Sequence, residues 1–413
     1  DDSKMIVGVR SGMPVTVDIR KPNNEITTVS FRADWTRDLR KEHEAAYNQF
    51  WRMYNHGFYD GNFHARDWVM LRERYRKYLP SVGHRNEMAT LLNMLVGELE
   101  SSHSEVSPAQ GNPRGESVAH LGFTYDYSYN GPGIRILEVP AHTPGSYPKT
   151  RLEAGEIVTK INGKPVGLDE ALYRDVLAGQ DGRDITLTVQ GKDGKTREVK
   201  YRALSPGQFS GIVWGNILDA RRKHVEEISH GQLTYVHIAG MSQGELDRFN
   251  QQVWMYAQGK KGLIIDVRNN GGGNTADKII DILERAPNSI YKERDEPAQL
   301  GPGQALAMPM VVMCAETSFS NAEMFPSAMR ARKLATLVGH PTPGYVIYTG
   351  GGRLVDGTGI RMPGTGVYHL DGSPLEDNGV VPDVIVDITP EQYFAGQDPQ
   401  LDKAVEVLMK QVK

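Results

Sequence analysis

The sequence predicts an α/β protein of more than one domain. At 413 residues the chain is longer than a single hydrophobic core usually supports. Strand-length apolar runs alternate with helical segments in its C-terminal half, which indicates a sheet covered by helices. Short runs of β-branched residues bounded by turn residues fill the middle of the chain, which indicates a separate β-rich unit.

The composition excludes several classes of partner. The net charge is −4 and no long basic or acidic block is present, so we expect neither nucleic acid nor a membrane surface as a partner. No apolar run approaches the ~20 residues of a membrane span, and no signal peptide opens the chain. The start at Asp1 without methionine suggests a processed protein or an excised fragment. We expect a soluble protein and lean towards the cytoplasm, with the periplasm and secretion left open, since the single Cys314 fits either redox environment.

Residues 1–34 are expected to form two strands and a linker. The runs Met5–Arg10 and Pro14–Arg20 alternate in polarity around a Ser11-Gly12 turn. Because two strands alone are marginally stable, we expect this piece to complete a sheet that belongs elsewhere.

Residues 35–115 are expected to form a helical subdomain. Apolar side chains recur there at helical spacing in two stripes, and such stripes of aromatic residues and Met usually pack in a core. The stripes consist of Phe50, Met53, Tyr54 and Phe58, and of Met88, Leu91, Leu92, Leu95 and Leu99. A Gly- and Pro-rich run over 108–115 then marks a boundary or a loop.

The pair Ser102-His103 follows the end of the second stripe. A histidine just past a helix is most often a capping or surface residue. The alternative is that His103 is a general base whose orientation or tautomer Ser102 fixes.

Residues 116–205 are expected to form a small β-rich domain. A short helix at Leu168–Leu177 and turns at Asn162-Gly163 and Asp193-Gly194 separate its strands. The predicted strands are Leu121–Tyr125, Ile134–Val139, Ile157–Ile161, Ile185–Val189 and Arg197–Tyr201.

This order of elements resembles a PDZ domain of the circularly permuted bacterial type. The resemblance depends mainly on the run Glu153–Gly163, and Leu121-Gly122-Phe123 stands where that family keeps its carboxylate-binding loop. It implies that the backbone N–H groups of Leu121, Gly122 and Phe123 bind a peptide C-terminus while the peptide adds a strand to the sheet.

Residues 206–413 are expected to form an α/β domain with a largely parallel sheet. Ligands of such sheets gather at the carboxyl ends of the strands. The loops Arg268–Asn274 and Thr317–Asn321 lie at two such ends. The predicted strands are Leu233–Ile238, Gly262–Val267, Met308–Cys314 and Ala335–Val338, and the predicted helices are Gln243–Tyr256, Asn274–Arg285 and Asn321–Arg332.

Ser320 stands between a predicted buried strand and a predicted helix. A hydroxyl at a helix N-terminus lies near free N–H groups and the positive end of the helix dipole, which favour a developing negative charge. An acyl-transfer nucleophile needs that setting. The plainer interpretation is that Ser320 only caps the helix.

Two further loops carry candidate groups. Gly271, Gly272 and Gly273 leave a strand and enter a helix at a spacing that fits neither the P-loop nor the dinucleotide fingerprint. They form a flexible turn, an anion cradle, or a backbone that approaches a scissile carbonyl as an oxyanion donor. Glu376 lies on a loop that contains Gly379 and Pro382, and taken alone it is a solvated acid.

Taken in order, these pieces resemble the tail-specific and C-terminal-processing serine peptidases, and most closely the tricorn protease core. The likeness runs from about Phe31 to Asp387 and includes Trp51-Arg-Met-Tyr54 and Phe58-Tyr-Asp60. It implies a catalytic domain of crotonase-like α/β fold beside the helical and PDZ-like domains.

The same resemblance implies a role for each candidate residue. Ser320 matches the nucleophile and His103 its general base, while Ser102 and Glu376 match the groups that orient His103. The backbone N–H groups of Asn321 and of one glycine in 271–273 match the oxyanion hole. The tail-specific branch uses a lysine base, and the corresponding segment 341–348 has no lysine, so a histidine-based tetrad is expected.

The resemblance therefore implies a serine peptidase that hydrolyses peptides or unfolded proteins through an acyl-enzyme, and it implies a homo-oligomer. It would place an acidic specificity pocket near Tyr291, Glu293 and Asp295, although no motif fixes that register. No cofactor or metal is expected, since no cluster of His, Cys and Asp has ligand spacing. Two alternatives stay open: a PDZ scaffold that binds peptide C-termini without cutting, and an acyl-CoA enzyme of crotonase-like fold, for which no basic pocket pattern is present.

Overall fold

The structure of the protein is a computed structural model that describes residues 5–10, 13–18, 25–28, 36–108 and 116–412. The predicted Ser11-Gly12 turn and most of the Gly- and Pro-rich run over 108–115 lie outside the described residues. In the part of the chain that the structure describes, no helix is long and apolar enough to cross a membrane.

The N-terminal residues form a small antiparallel sheet. Its strands are β1 (Met5–Arg10), β2 (Met13–Asp18) and β3 (Glu25–Thr28), paired in the order β1-β2-β3. The first two strands were predicted, and among the described residues they pair with one another and with β3; that they complete a larger sheet stays a prediction. The unpredicted β3 supplies the third strand that a small sheet needs.

Three helices and a short strand form the helical subdomain. They are α1 (Leu39–Gly57), α2 (Trp68–Arg76), α3 (Arg85–Gly97) and β4 (Glu105–Ser107). Both predicted stripes pack into one aromatic core, in which Phe50, Tyr54 and Leu92 are fully buried. Asp38 and Asp67 cap α1 and α2 by accepting the N–H of the residue three positions on.

The β-rich domain is built from six strands, one short helix and two 3-10 turns, Pro144–Ser146 and Pro148–Thr150. Its sheet has the order β10-β9-β7-β6-β5, with β8 paired to β7. Asn162 and Gly163 both have positive φ between β7 and β8, as the predicted hairpin turn requires. The strands are β5 (Thr124–Tyr125), β6 (Ile134–Glu138), β7 (Ile157–Ile161), β8 (Lys164–Pro165), β9 (Asp184–Gln190) and β10 (Thr196–Arg202), and the helix, Leu172–Leu177, has π-type hydrogen bonding.

The α/β domain contains a parallel sheet in the order β11-β12-β15-β16-β19, which confirms the predicted parallel architecture. Its strands are β11 (Leu233–His237), β12 (Gly262–Asp266), β13 (Ser289–Tyr291), β14 (Gln299–Gly301), β15 (Met310–Cys314), β16 (Ala335–Gly339), β17 (Ile347–Arg353), β18 (Gly359–Gly366) and β19 (Val384–Ile385). Its helices are α4 (Pro206–Ile228), α5 (Gln243–Ala257), α6 (Ala276–Leu283), α7 (Asn321–Ala331), α8 (Pro390–Phe394) and α9 (Pro399–Met409).

Helices cover both faces of the parallel sheet. Helices α5, α6 and α7 pack with Ile265 and Val312 on one face, whereas α4 and α9 pack with Ile264 and Val311 on the other. Successive residues of β12 and β15 therefore face opposite layers, as strand geometry requires. Both faces are buried, which explains why these strands read as continuous apolar runs.

A second sheet joins the helical subdomain to the α/β domain. It has the order β17-β18-β4, and its register pairs Arg361 with Glu105. The hydroxyl of Tyr54 in α1 donates to the backbone carbonyl of Arg361 at 2.9 Å, and Ile360 packs in the aromatic core of the subdomain. This shared sheet holds the segment that carries His103 against the α/β domain.

Candidate active site

Ser320 lies in a tight turn between β15 and α7. Its backbone has φ 58° and ψ −117°, which is not the extended conformation of an ordinary N-cap residue. A residue other than glycine keeps such a conformation only where its surroundings hold it. Here the hydroxyl of Ser318 donates to the carbonyl of Val267 and the N–H of Phe319 donates to the carbonyl of Asn270, both at 2.9 Å. The turn that presents Ser320 is therefore tied to the carboxyl end of β12.

The glycine loop after β12 touches this turn directly. Gly272 has φ +89°, and a Cβ atom added there would lie 2.7 Å from the carbonyl oxygen of Phe319 and 2.8 Å from Cβ of Ser320. The side chain of Asn270 fixes the loop by donating to the carbonyl of Ile238 at 2.8 Å and accepting the N–H of Gly272 at 2.9 Å. Glycine at position 272 thus lets the loop backbone approach Ser320.

Backbone N–H groups are available on both sides of Ser320. In the described ranges, the N–H groups of Asn321, Gly271 and Gly273 have no recorded acceptor, whereas that of Gly272 is occupied by Asn270. Of the three glycines that were candidates for the oxyanion-hole donor, only Gly271 and Gly273 therefore have an N–H without an acceptor in the described part of the chain. An oxygen that develops negative charge near Ser320 can accept from such groups.

Ser102, His103 and Glu376 form a hydrogen-bonded chain. The Oγ atom of Ser102 lies 2.7 Å from Nδ1 of His103 and donates to Oε2 of Glu376 at 3.0 Å. The backbone N–H of Ser102 also donates to Oε1 of Glu376 at 2.8 Å. Glu376 is 4% exposed, so the interpretation of Glu376 as a solvated acid is wrong.

The hydrogen-bond network assigns the tautomer of His103. Both oxygens of Glu376 accept hydrogen bonds from backbone N–H groups, of Ser102 and of Val346, and the single hydroxyl proton of Ser102 also points to this carboxylate. Ser102 must then accept from Nδ1–H of neutral His103, which leaves the Nε2 lone pair able to take a proton. His103 also has a positive φ of 60°, a strained backbone of the kind that is enriched at functional sites.

The surroundings keep His103 neutral. Burial of the ring lowers the pKa of His103 below its usual value, and the positive charge of Arg361 lowers it further, while Glu105 raises it. A neutral imidazole is the form that can act as a base near neutral pH.

A single segment, residues 342–346, links the Ser320 turn to the His103 chain. Glu323, fully buried in the first turn of α7, accepts the N–H groups of Ser320, Gly344 and Tyr345 at 3.1, 2.7 and 2.8 Å. The next N–H in that segment, of Val346, donates to Glu376 at 2.9 Å. Two buried carboxylates thus hold consecutive N–H groups of one segment and fix the two halves of the site relative to each other.

The sequence reasoning did not assign a role to Glu323. A glutamate three residues after a serine is the pattern of a capping box, and that signal was available. Its bonds to residues 342–346 could not be read from the sequence, because they join positions about twenty residues apart through the fold.

The side chains of His103 and Ser320 do not form a hydrogen bond with each other in the structure. The hydrogen bonds of the described residues include none between the His103 ring and the Ser320 hydroxyl. A cavity of about 470 Å³ adjoins Ser320, and His103 is not part of its lining. Catalytic hydrogen bonds are often long without substrate and tighten when it binds. The cavity is lined by residues 240–242, 271–274, 320, 321, 324, 346–349 and 361.

The residues of the predicted carboxylate-binding loop lie in the core of the β-rich domain. Leu121 and Phe123 are fully buried, and the N–H of Gly122 donates to Nδ1 of His120 at 3.0 Å. One of the three expected N–H donors is therefore occupied within the domain, and peptide binding there stays a prediction.

The region of the expected acidic pocket lies away from the Ser320 cavity. Tyr291 ends β13 and Glu293 and Asp295 follow it, and all three are exposed and absent from the cavity lining. Across the described residues, no group of three or more His, Cys, Asp or Glu is arranged to hold a metal ion.

Two family models match the chain. Residues 232–386 match the family described as Peptidase family S41, a range that includes Ser320 and Glu376. Residues 39–97, which cover α1 to α3, match the Tricorn protease C1 domain. Ser102 and His103 lie within six residues of the end of that second match.

Relatives extend the likeness over nearly the whole chain. The tricorn protease of Thermoplasma volcanium is 25% identical over 99% of this chain and 40% of its own length. Tricorn protease homolog 1 of Streptomyces coelicolor is 28% identical over 95% of this chain and 36% of its own length. A solved structure described as a crystal structure of the tricorn protease matches with a TM-score of 0.85 at 24% identity, over 99% of this chain and 40% of that one. The chain therefore shares that fold and spans about two fifths of the length of these relatives.

Proposed function

We propose that this chain is a serine peptidase, because residues 232–386 match the model of peptidase family S41 and residues 39–97 match that of the Tricorn protease C1 domain. Its substrates would be peptides or unfolded proteins. The reaction is acyl transfer from the peptide to Ser320 and then to water. We further propose, by resemblance to the tricorn proteases, that the chain assembles as a homo-oligomer.

The proposed reaction begins at Ser320. Its hydroxyl oxygen attacks the carbonyl carbon of the peptide bond while Nε2 of His103 takes the hydroxyl proton. The carbonyl oxygen becomes negatively charged and accepts hydrogen bonds from the N–H of Asn321 and of Gly271 or Gly273. His103 then gives its proton to the leaving amine, and the C–N bond breaks. Water, deprotonated by His103, attacks the acyl-enzyme and releases the second product.

One observation carries this proposal. The hydrogen bonds from Glu376 through Ser102 to Nδ1 of His103 supply what a general base requires, namely a fixed ring and a fixed tautomer. A surface or capping histidine needs neither a buried carboxylate behind it nor a hydroxyl between them. Glu376 also accepts from the segment that Glu323 ties to the Ser320 turn, which supports a common site for the base and the serine.

The test is a digest of an unfolded protein and a peptide mixture, read by mass spectrometry. We expect new peptide termini with wild-type protein and none with Ser320→Ala or His103→Gln. Folding of each variant is checked by circular dichroism. Peptide binding with no cleavage by wild-type protein would contradict the proposal and favour the scaffold alternative. Turnover of an acyl-CoA thioester without peptide cleavage would also contradict it and favour the acyl-CoA alternative.

A further inference from the structure

Arg361 is the only charged side chain among the described residues that line the Ser320 cavity. The other lining side chains are glycine, apolar or neutral polar, including Ser242, Asn274 and Tyr348. A substrate in this cavity therefore meets one permanent positive charge and, among the described lining residues, no negative one. A guanidinium suits a carboxylate, because its planar donors can pair with both carboxylate oxygens.

The backbone of Arg361 is firmly placed. It lies in β18 opposite Glu105 of β4, and its carbonyl accepts the hydroxyl proton of Tyr54 at 2.9 Å. Because β18 is the middle strand of its sheet, the Cα atom of Arg361 has little freedom relative to the segment that carries His103.

The guanidinium, in contrast, is only loosely engaged. Its Nε donates to Thr349 and its Nη1 to Glu105, both at 3.2 Å, and its Nη2 donates to no acceptor among the described residues. The side chains of Arg361 and Glu105 are 43% and 62% exposed. An exposed pair of this kind contributes little, so a substrate carboxylate can join or displace Glu105 at small cost.

The position of Arg361 indicates which part of the substrate it meets. Arg361 pairs with Glu105 in the register of β18 and β4, and Glu105 follows His103 by two residues, which places Arg361 beside the segment that carries His103. In the proposed reaction His103 hands its proton to the leaving amine, so groups beside His103 face the part of the substrate that follows the scissile bond. Arg361 therefore lies beside the leaving-group side of the cavity.

We propose that Arg361 binds a substrate carboxylate on the leaving-group side of the scissile bond. The proposal rests on the proposed peptidase function and adds a substrate class, peptides with an acidic residue or a free C-terminus close after the cleaved bond. It differs from the expectation of a pocket for basic side chains near Glu293 and Asp295, which do not line the cavity.

The test compares quenched fluorescent peptides that share one sequence and differ after the cleaved bond. One set carries Asp, Asn or Lys there, and a second ends in a free carboxylate or an amide. All rates are taken at pH 8, where His103 is neutral with and without the Arg361 charge. We expect wild type to prefer the carboxylate peptides, and Arg361→Gln to lose about two- to fivefold of that preference, as for an ion pair of a partly exposed guanidinium. If the preference falls in the Asp, Asn and Lys set, the carboxylate that Arg361 binds belongs to a side chain. If it falls in the set that ends in a free carboxylate or an amide, the carboxylate is the C-terminus of the peptide.

Two further variants sharpen the test. Arg361→Glu should turn the preference towards Lys, whereas Arg353→Gln, on the adjacent strand and outside the cavity lining, should leave it unchanged. A wild type that cleaves neutral or basic peptides at least as well as acidic ones would overturn the proposal, as would an Arg361→Gln variant with an unaltered preference. In either case labelling of Ser320 by a fluorophosphonate would persist. If labelling and cleavage are both absent in wild type, the proposed function itself fails.

Discussion

Replacing Glu323 with glutamine tests whether this buried carboxylate holds the site together. Oε1 of Glu323 accepts the N–H groups of Ser320 and Tyr345, and Oε2 accepts the N–H of Gly344 at 2.7 Å and the hydroxyl of Thr342 at 2.5 Å. Burial raises the pKa of Glu323, and these four donors oppose that rise. A glutamine has one acceptor oxygen and offers donors in place of the second.

The cost follows from which donors lose their acceptor. With the amide oxygen at the Oε1 position, the Thr342 hydroxyl can turn and accept from the new amide, but the N–H of Gly344 cannot. If the amide is flipped, its NH2 group faces the N–H groups of Ser320 and Tyr345, and this orientation is less stable. One orphaned buried donor costs about 1–3 kcal/mol, and each remaining bond loses roughly 1 kcal/mol of its charge-assisted strength. Glu323→Gln should therefore lower the free energy of unfolding by about 3–5 kcal/mol.

Urea denaturation measures this change through the transition midpoint. The labelling rate of Ser320 by a fluorophosphonate, measured well below the transition, reports the geometry of the folded site and should fall. Glu316→Gln is the matched control, because Glu316 precedes the same turn but its side chain is 65% exposed, and a change within about 0.5 kcal/mol is expected there. A Glu323→Gln protein with wild-type stability and wild-type labelling would refute the reasoning.

Three more predictions follow from the geometry of the site. Gly272→Ala should abolish labelling of Ser320, because the new Cβ would lie 2.7 Å from the carbonyl oxygen of Phe319 at a φ of +89°. The control is Gly303→Ala, whose Cβ would meet nothing within 4 Å. Equal labelling of the two variants would contradict the close approach of the loop to Ser320. In wild type the lowered pKa of His103 should keep the base neutral to below pH ~6.5, so the acid limb of the kcat/KM profile on a neutral peptide should lie below that value. Arg361→Gln removes a charge that lowers this pKa, so the limb should move to higher pH, and a shift to lower pH would contradict the assignment. Glu376→Gln should reduce kcat/KM by roughly 10²–10⁴, and it should also lower the free energy of unfolding by about 1–3 kcal/mol, because one buried N–H that donates to Glu376 loses its acceptor. A folded variant with wild-type kcat/KM would show that Glu376 does not orient the base.

The sequence was most informative where structure is periodic. The fully buried strands β11, β12 and β15 and the partly buried β16 appear as apolar runs, and the helices α5 and α7 carry a clear apolar face, so the parallel sheet could be predicted. Helix α4 was missed although it is 23 residues long, because only Val225 in it is fully buried and its apolar stripe is weak. Strands β17 and β18 were missed because Gly350–Gly352 and Pro363 interrupt any alternation of apolar and polar residues.

The site could be predicted only in part, because its residues do not follow a periodic pattern. Periodicity cannot bring Ser102, Glu376 and Ser320 into one place, and the expectation that they belong together came from the order of motifs in a resembling family. The sequence did not indicate a role for Arg361, because an arginine outside any predicted element is interpreted as an ordinary surface residue. Glu323 accepts backbone N–H groups of an irregular segment. Almost every residue type has a backbone N–H, so the sequence could not show which of these groups Glu323 binds.

Reaction with a fluorophosphonate tests the central claim, that Ser320 is an activated nucleophile, most directly. Intact mass is measured on wild type, on Ser320→Ala and on Ser327→Ala, and a digest locates the adduct. Ser327 is a stringent control because it lies in the same helix and its Oγ is 3.1 Å from Nδ1 of His369. We predict one adduct on wild type and on Ser327→Ala, located at Ser320, and none on Ser320→Ala. An adduct that persists in Ser320→Ala, or wild-type protein that stays unmodified, would contradict the account.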